Sequence, residues 1–254
     1  MLPMSDPGAL TGADFWDDFW KKTVLPVLPD PAKNYERCYL DLFDRFFRPG
    51  MGEGKTVFEA GCAPGMWLAH FHKRFGFVPH GCDISPRGLA LTEENLRLCG
   101  VTGHIARSDL FAYLPEKPFD VVLSINFIEH FDNPRPVLER QVELLAPGGT
   151  LALSVPNLTA LNAWLTRPAF LAAHNTAVMN QAFFEDFAAG AGLKTLFLDY
   201  IGGFEPDLVG PESSAYLKRC VLKALRLARK APGTGLNGRA WSAFLVGLFQ
   251  KPLS

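Results

Sequence analysis

The feature that most constrains the fold of this chain is the stretch 56–67, T-V-F-E-A-G-C-A-P-G-M-W, where a short apolar strand leads through small residues into a helix. Gly61, Ala63 and Gly65 allow a ligand to approach the backbone closely, because larger side chains there would stand in the way. Pro64 fixes its own φ where a helix is about to begin. The loop is therefore predicted to form a ligand-binding cradle.

Strands and helices alternate along the chain from residue 56 onward. This alternation predicts a parallel sheet covered by helices on both faces. The apolar run 121–123, V-V-L, is typical of a strand buried on both sides. The predicted strands are 56–60, 78–82, 104–107, 119–125, 150–155 and 194–200, and the predicted helices are 34–47, 66–75, 86–98, 134–145 and 181–193.

Acidic residues follow or end three successive predicted strands: Glu59, Asp83 and Asp109. Because the carboxyl ends of parallel strands meet at one edge of a sheet, we expect these acids to lie close together. Glu59 disfavours a pyrophosphate ligand and favours a cationic or amino-bearing one. Asp83 follows Gly61 by about 22 positions, where an acid can accept hydrogen bonds from ribose hydroxyls. The alternatives are that Asp83 caps the next helix and that Asp109 lies in an exposed turn.

The run 59–65, E-A-G-C-A-P-G, resembles the first motif of class I S-adenosylmethionine (SAM)-dependent methyltransferases of the small-molecule type. Later stretches follow in the order of that family, including the turn A-P-G-G at 146–149, whose glycines are expected at positive φ. The resemblance covers about residues 55–200. It implies a Rossmann-like, doubly wound α/β fold with a seven-stranded sheet that is mostly parallel, an antiparallel last strand at 242–250, and helices on both faces.

The resemblance also assigns roles to residues and names SAM as the cofactor. It implies that Asp109 accepts from the adenine amine beside the backbone of Leu110, and that Asn126 and Phe127 lie beside the methionine part. In several similar enzymes a Trp-rich N-terminal helix covers the cofactor, and Trp20 is the candidate here; the alternative is a helix that only docks on the core. Trp20, Phe127 and Met179 are expected near the site, where they would keep it dry and weakly polar. The candidate cofactor-binding residues are Glu59, Gly61, Ala63, Pro64, Gly65, Asp83, Ile84, Asp109, Leu110, Asn126, Phe127 and Trp20.

Two histidines are candidate catalytic bases. His130 belongs to an E-H pair that resembles one found in many small-molecule methyltransferases, and it could accept the proton of an acceptor hydroxyl. His174 is the second candidate. For each, the alternative is a structural role in anchoring or packing its own segment. The sequence has no cluster of His and acidic residues with metal-ligand spacing, so no metal site is expected.

We expect a single domain over residues 1–254. Its parts are a helical cap at 14–50, the SAM-binding core at 55–200, an inserted basic helical lid at 202–240 and a closing strand at 242–251. Within the insertion, the helix predicted at 215–230 has an apolar stripe opposite a basic one. It is interpreted either as a lid with a solvated face or as a peripheral contact with an anionic membrane or a lipid-linked acceptor.

Composition narrows the classes of partner and compartment. The chain has 254 residues, 48% of them apolar, with 25 basic and 26 acidic residues, so no overall positive field favours nucleic acid as a partner. The five cysteines are odd in number and form no C-x-x-C pair, which indicates a reducing compartment. With no signal peptide or spanning segment recognised, we expect a cytoplasmic protein, with the basic helix as the route to a membrane-peripheral position.

The predicted activity is methyl transfer from SAM to an acceptor, with a hydroxyl of a small, lipid-linked or glycan-linked molecule favoured over an amine or thiol. One alternative is a nicotinamide-dependent oxidoreductase, which calls for G-x-G-x-x-G, whereas Gly61 and Gly65 here have three residues between them. Another is a SAM-binding module without turnover, because a fold does not fix a function. The sequence predicts neither the acceptor nor the oligomeric state.

Overall fold

The computed structural model describes residues 7–205, 220–224 and 237–253. Its seven strands form one sheet in the order β3-β2-β1-β4-β5-β7-β6, in which β7 runs antiparallel to both neighbours and the other described pairs are parallel. The strands are β1 (Thr56–Ala60), β2 (Val78–Asp83), β3 (His104–Arg107), β4 (Phe119–Ile125), β5 (Leu145–Pro156), β6 (Lys194–Ile201) and β7 (Phe244–Gln250).

Helices cover both faces of this sheet. Those described are α1 (Ala13–Phe19), α2 (Asn34–Phe46), α3 (Met66–Phe75), α4 (Pro86–Leu98), α5 (Pro134–Leu144), α6 (Ala160–Leu165), α7 (Pro168–Leu171) and α8 (Gln181–Gly190). Side chains of α2, α3 and α4 pack on one face, where Phe71 is fully buried, and α5 and α8 pack on the other, where Phe184 is fully buried. All five residues of β1 are buried because both faces above it are covered.

The chain reverses its direction of strand addition between β1 and β4. β2 and β3 lie on one side of β1, whereas β4 pairs with its other side, Glu59 opposite Leu123. In doubly wound sheets the loops that leave such a point separate and open a crevice at the carboxyl ends of the strands. The fold thus places the cradle loop after β1 beside the loop after β4.

Local sequence explains where the helices beside this crevice begin and end. Helix α3 lies between two glycines in the left-handed region, Gly65 (φ 80°) and Gly76 (φ 88°). Helix α4 begins with Pro86 at its first turn and with Ser85 as N-cap, whose hydroxyl accepts a 2.8 Å hydrogen bond from the Gly88 amide. Ser85, and not Asp83, therefore provides the cap that was the alternative role for that acid.

The sequence-based prediction of a doubly wound, mostly parallel sheet with an antiparallel last strand is confirmed. The element boundaries differ in places: β5 starts at Leu145 rather than at residue 150, and β7 starts at Phe244. The stretch 146–149 consequently belongs to β5. Gly148 has the expected positive φ of 75°, but Gly149 does not, so the prediction for that second glycine is wrong.

The predicted insertion at 202–240 falls mainly outside the described residues. Of the basic helix predicted at 215–230, the structure describes 220–224, which are helical, and Leu222 is buried against Leu165 of α6. Lys223 is exposed. Among the helices of the described ranges, none combines the length and the apolar character that crossing a bilayer requires.

Candidate active site

A crevice of about 400 Å³ opens at the carboxyl ends of β1 to β4 and is covered on one side by α1. Its size falls in the range of small-molecule binding pockets. All of the residues that the sequence singled out as cofactor-binding or catalytic line this crevice, with the exception of Gly65. The roles of these residues remain predictions, but their convergence is a property of the structure.

Glu59 lies at the base of the crevice, near the end of β1. Glu59 is 5% exposed, and its Oε2 atom has no hydrogen-bond partner among the described residues. Burial, followed by the nearby negative charge of Asp83, raises the pKa of this carboxyl well above its usual range. An unpartnered buried carboxyl is costly. A ligand that supplies a hydrogen-bond donor would remove that cost.

Asp83 ends β2 next to the cradle loop. Its Oδ2 accepts from the Ala63 amide at 3.2 Å and its Oδ1 accepts from the Ser85 amide at 2.8 Å. Burial is the largest influence and raises the pKa of the carboxyl, while these two bonds oppose it. The acid therefore fixes the loops after β1 and β2 relative to each other, and each carboxylate oxygen keeps further acceptor capacity for a ligand hydroxyl.

Asp109 and Leu110 follow β3 on the far side of the crevice. Asp109 is exposed, and its Oδ1 accepts a 2.8 Å hydrogen bond from the Phe111 amide, whereas Leu110 is 4% exposed. The acid thus terminates the loop as a turn residue and still lines the crevice. The turn role and the ligand role, which the sequence posed as alternatives, are compatible here.

Gly61 is held in contact with the ring of Phe127, which lies two residues after the end of β4. Gly61 has φ 65°, and a Cβ added to it would lie 2.7 Å from Phe127 Cδ2. Asn126 has a positive φ of 53° and donates its amide to the Ser154 carbonyl at 2.9 Å, which anchors the start of this loop to β5. Because Gly61 has no side chain, the crevice stays open between the ends of β1 and β4.

Gly65 and Met179 are placed differently from the sequence prediction. Gly65 does not line the crevice; a Cβ there would meet Thr92 of α4 at 2.9 Å, so its small size serves helix packing and the left-handed turn before α3. Met179, expected near the site, is fully buried in the core, and its sulfur accepts from the Leu158 amide. These two expectations are corrected.

Helix α1 and the residue after it present four aromatic side chains to the crevice: Phe15, Trp16 and Phe19 of α1, and Trp20 directly after it. Trp16 and Trp20 are stacked with centroids 6.3 Å apart. Trp16 also meets the ring of His130 edge-on at 4.9 Å. Although Trp20 lines the crevice as predicted, the sequence did not single out Trp16, whose ring contacts a candidate base.

Asp17 of α1 ties this helix to the first turn of α4. Its Oδ1 accepts from the Ser85 hydroxyl at 2.5 Å and from the Arg87 amide at 3.1 Å. These hydrogen bonds lower the pKa of Asp17, the Ser85 bond most. The two residues are 68 positions apart in sequence, so no local sequence pattern predicts this contact.

The two candidate bases lie side by side, with ring centroids 4.7 Å apart. His130 is hydrogen-bonded through Nδ1 to the Ala173 carbonyl at 3.1 Å, and His174 through Nδ1 to the Phe170 carbonyl at 2.7 Å. A carbonyl only accepts, so each Nδ1 carries the proton and each Nε2 keeps a lone pair. Burial lowers the pKa of His130 to about 4 and also lowers that of His174. Both rings are therefore neutral acceptors near neutral pH.

Glu129 lies next to His130 and was not singled out as a site residue. It is fully buried, lines the crevice, and has no hydrogen-bond partner for either carboxyl oxygen among the described residues. Burial raises the pKa of this carboxyl to about 8. An acid four residues after a central strand, beside a histidine, was the available sequence signal.

The hydrogen-bond acceptors and the shape of the crevice fit SAM. The unpartnered oxygen of Glu59 can accept from a ligand amine, Asp83 can accept from ribose hydroxyls, and the narrow passage between Gly61 and Phe127 admits a thin chain. The aromatic residues of α1 suit a sulfonium. Within the described ranges, no group of three or more His, Cys, Asp or Glu side chains is arranged to hold a metal ion.

Comparison with known proteins agrees with this assignment. A family model described as a methyltransferase domain matches residues 32–197. Ubiquinone biosynthesis O-methyltransferases from Caulobacter sp. (strain K31) and Caulobacter vibrioides are 29% and 31% identical to the chain over 153 residues, or 58% of it. The chain spans 60% of the length of each of these relatives.

Solved structures share the fold at low identity. A SAM dependent methyltransferase from Archaeoglobus fulgidus has a TM-score of 0.57 at 18% identity, covering 83% of this chain and 92% of that one. The N-methyltransferase NodS from Bradyrhizobium japonicum WM9 has 0.51 at 16%, covering 89% and 99%. The [4+2]-cyclase SpnF has 0.57 at 15%, covering 85% and 80%. Similarity at this level of identity establishes the fold, and the reaction has to be inferred from the residues of the site.

The cofactor to which family, fold and crevice all correspond is SAM. The family model covers well over half of the chain. The strand order, with one antiparallel strand inserted between β5 and β6, matches the architecture implied by the cradle motif. The chain therefore belongs to the methyltransferase-domain family and has the Rossmann-like fold of SAM-dependent methyltransferases.

Proposed function

We propose that this protein transfers the methyl group of SAM to a hydroxyl of a small, apolar acceptor. The observation that carries the proposal is that two unlike groups of side chains line the crevice. The acidic part consists of Glu59, Asp83 and Asp109, and the aromatic part consists of contacting rings that include the imidazoles of His130 and His174. The first suits an adenosyl amino acid and the second suits an apolar molecule that must lose a proton.

The acidic part would hold the cofactor. Asp83 and Asp109 can accept from the ribose and the adenine, and Glu59 from the amine of the methionine part. When bound, SAM supplies an electrophilic methyl group on a positively charged sulfur. Apolar walls such as Ile84 and Leu110 exclude water from the adenosyl portion. Held in this way, the cofactor and acceptor meet in a fixed orientation, which supplies much of the acceleration in such reactions.

The aromatic part would hold the acceptor. Trp16 and Phe170 line it together with His130, and Phe170 is 39% exposed at its edge. A hydroxyl is a weak nucleophile until its proton is removed, and Nε2 of His130 is a neutral acceptor suited to take that proton. An amine needs no such base, so the two imidazoles favour a hydroxyl acceptor. The relatives named O-methyltransferases support the same choice of atom.

Labelled methyl transfer tests the proposal. Purified protein is incubated with methyl-labelled SAM and matched sets of small aromatic and aliphatic compounds that carry a hydroxyl, an amine or a thiol on the same skeleton. We expect label in hydroxyl compounds, and at least tenfold less in their amine counterparts. Label confined to amines or thiols would contradict the acceptor class, and no label in any compound would contradict the enzyme assignment.

Two finer hypotheses from the sequence remain part of the proposal. These are a lipid-linked or glycan-linked acceptor and a membrane-peripheral position in the cytoplasm. The lipid-linked acceptor and the membrane contact depend on the basic helix predicted at 215–230, most of which lies outside the described residues. Sedimentation with vesicles tests the membrane contact. Binding to vesicles with anionic lipid, but not to neutral ones, is expected; equal and negligible binding to both would exclude it.

Calorimetric titration distinguishes the remaining alternatives. The protein is titrated with SAM, S-adenosylhomocysteine and NAD under the same conditions. Binding of the first two without NAD is expected for a methyltransferase, whereas NAD binding alone would point to an oxidoreductase. Binding of SAM together with the absence of label in every acceptor set would indicate a module that does not turn over.

A further inference from the structure

The loop that carries His130 is held between two distant segments of the chain. On one side, the Leu10 amide donates to the His130 carbonyl at 2.8 Å, and Ala9 pairs with Phe131 in an antiparallel bridge. On the other side, the Ala173 carbonyl accepts from Nδ1 of His130 at 3.1 Å. His130 itself belongs to a helical turn of only three residues. The orientation of its imidazole therefore depends on these neighbours.

Trp16 is the side chain that the N-terminal segment places on this imidazole. Its ring is nearly perpendicular to that of His130, at 88°, with the centroids 4.9 Å apart, which is a favourable edge-to-face contact. The ring of His174 contacts the same imidazole at 4.7 Å. Between these contacts His130 is only 7% exposed. Trp16 thus helps to orient the imidazole and to exclude water from it.

The position of Trp16 depends in turn on Asp17, the next residue of α1. No residue of α1 is buried, so burial alone does not hold this helix in place. Asp17 accepts hydrogen bonds from the Ser85 hydroxyl and the Arg87 amide of α4, and it does not line the crevice. The contact that fixes α1 to α4 therefore also keeps Trp16 against His130.

We propose that Trp16 is a positioning residue for His130, and that the anchoring of α1 through Asp17 keeps it in that position. The inference rests on the proposed function, in which His130 is the base. In that step the O–H bond of the acceptor breaks, its electron pair stays on oxygen, and the proton passes to Nε2 of His130. Trp16 acts on this step by holding the imidazole, with Nδ1 engaged and the lone pair of Nε2 left for the acceptor.

The ionisation of the surrounding groups agrees with this role. Burial is the largest influence on His130 and lowers its pKa to about 4, with a smaller effect of His174 in the same direction. The other titratable group that faces the imidazole is Glu129, with Oε1 3.9 Å from Nε2, and burial raises the pKa of Glu129 to about 8. From α1 the contact is the uncharged ring of Trp16, while Asp17 is engaged with α4. Removing the Trp16 ring should admit water and raise the pKa of His130.

Nuclear magnetic resonance of histidine-labelled protein, without cofactor or acceptor, measures the pKa of His130, whose signal is identified by its loss in His130→Gln. We expect Trp16→Leu to raise this pKa by about 1.5 units from about 4, whereas Trp16→Phe, which keeps an aromatic ring, should stay within about 0.5 units of wild type. The matched control is Trp164→Leu, at an exposed position of α6 outside the crevice. The same pKa in wild type and Trp16→Leu would overturn the inference.

Asp17→Ala provides a second variant that alters neither His130 nor the lining of the crevice. It should also raise the pKa of His130, by about 0.5 units or more, because α1 loses its anchor. Loss of a negative charge by itself would lower the pKa of a histidine, so a rise cannot be an effect of charge. The control is Asp18→Ala, which removes an exposed acid of the same helix. Equal values of the His130 pKa in the two variants would overturn the inferred role of the anchor.

The pH profile of methyl transfer gives a further readout, with a hydroxyl compound that the wild type methylates. Between about pH 7.5 and about pH 5, kcat/KM of Trp16→Leu should fall about threefold more than that of wild type, because its base becomes protonated. Loss of a wall of the acceptor site would instead lower kcat/KM by the same factor at both pH values, and this result would overturn the inference. If the wild type methylates no hydroxyl compound, the proposed function fails, and the resonance measurements still decide whether Trp16 positions His130.

Discussion

The hydroxyl of Ser85 donates a 2.5 Å hydrogen bond to Oδ1 of Asp17, and this contact fastens helix α1 to the N-terminus of α4. Ser85 also caps α4, so one hydroxyl both begins a helix and holds the aromatic helix in place. None of the residues of α1 is buried. A helix with so little burial depends on specific contacts of this kind.

Removing the acid should therefore loosen the cover of the crevice. We expect Asp17→Ala to weaken S-adenosylhomocysteine binding roughly threefold to tenfold, because α1 loses its hydrogen bonds to Ser85 and Arg87. Calorimetry provides the measurement, and Asp18→Ala is the control, since Asp18 is exposed and pairs with Lys21, just after the helix. Equal affinities for the two variants would show that the contact does not support binding.

The passage beside Phe127 can be narrowed by a single methyl group. Gly61→Ala would place a Cβ 2.7 Å from the Phe127 ring at φ 65°, whereas Gly192→Ala has the same φ with no atom within 4 Å. Both variants should lose about 1 to 2 kcal/mol of unfolding free energy from the backbone conformation. Beyond that shared loss, only Gly61→Ala should lose affinity for S-adenosylhomocysteine, by at least about tenfold. Comparable affinities in the two variants would separate Gly61 from the binding site.

The acid at the end of β2 should matter for the ribose. Asp83→Asn keeps the shape of the side chain and should weaken the binding of S-adenosylhomocysteine by about 1 to 3 kcal/mol through loss of charge-assisted hydrogen bonds. The affinity for adenosine, which has the same ribose, should fall by a similar factor. Asp41→Asn, at an exposed position of α2, is the control. Unchanged affinity for both ligands would mean that the ribose binds elsewhere.

The raised pKa of Glu129 predicts how stability depends on pH. Its ordinary pKa of 4.5 is raised to about 8 in the folded protein, so the folded state binds more protons between these values. The contribution is fully present below about pH 4.5 and is lost as the pH rises to about 8. Relative to Glu129→Gln, the wild type should lose on the order of 3 to 5 kcal/mol of unfolding free energy across this window. Urea unfolding at several pH values would measure it, and parallel curves would contradict the burial of an unpaired carboxyl.

The lowered pKa of His130 predicts the opposite slope at acid pH. Folding lowers this pKa from 6.5 to about 4, so the unfolded state binds more protons between those values. Relative to His130→Gln, the wild type should therefore gain stability as the pH rises from about 4 to about 6.5. Unfolding free energies at pH 4.5 and pH 7 provide the test. An identical difference in both proteins would indicate that the imidazole is already charged when folded.

The sequence allowed the sheet and one half of the crevice to be predicted. Alternating strands fix where parallel strands end, so Glu59, Asp83 and Asp109 could be expected at one edge before any coordinates. The contact of Asp17 with Ser85 could not be expected, because it joins residues 68 positions apart through the docking of a short helix. Gly65 was misassigned because a small residue in a loop can serve a ligand or a neighbouring helix, and only packing against Thr92 distinguishes the two.

The crystal structure of the complex with S-adenosylhomocysteine tests the central claim most directly, namely that the crevice between β1 and β4 is the cofactor site. We expect density for the adenosine with its ribose hydroxyls within hydrogen-bonding distance of Asp83. The amino acid part of the ligand should pass between Gly61 and Phe127. Density for the ligand outside this crevice, or a ribose without contact to Asp83, would contradict it.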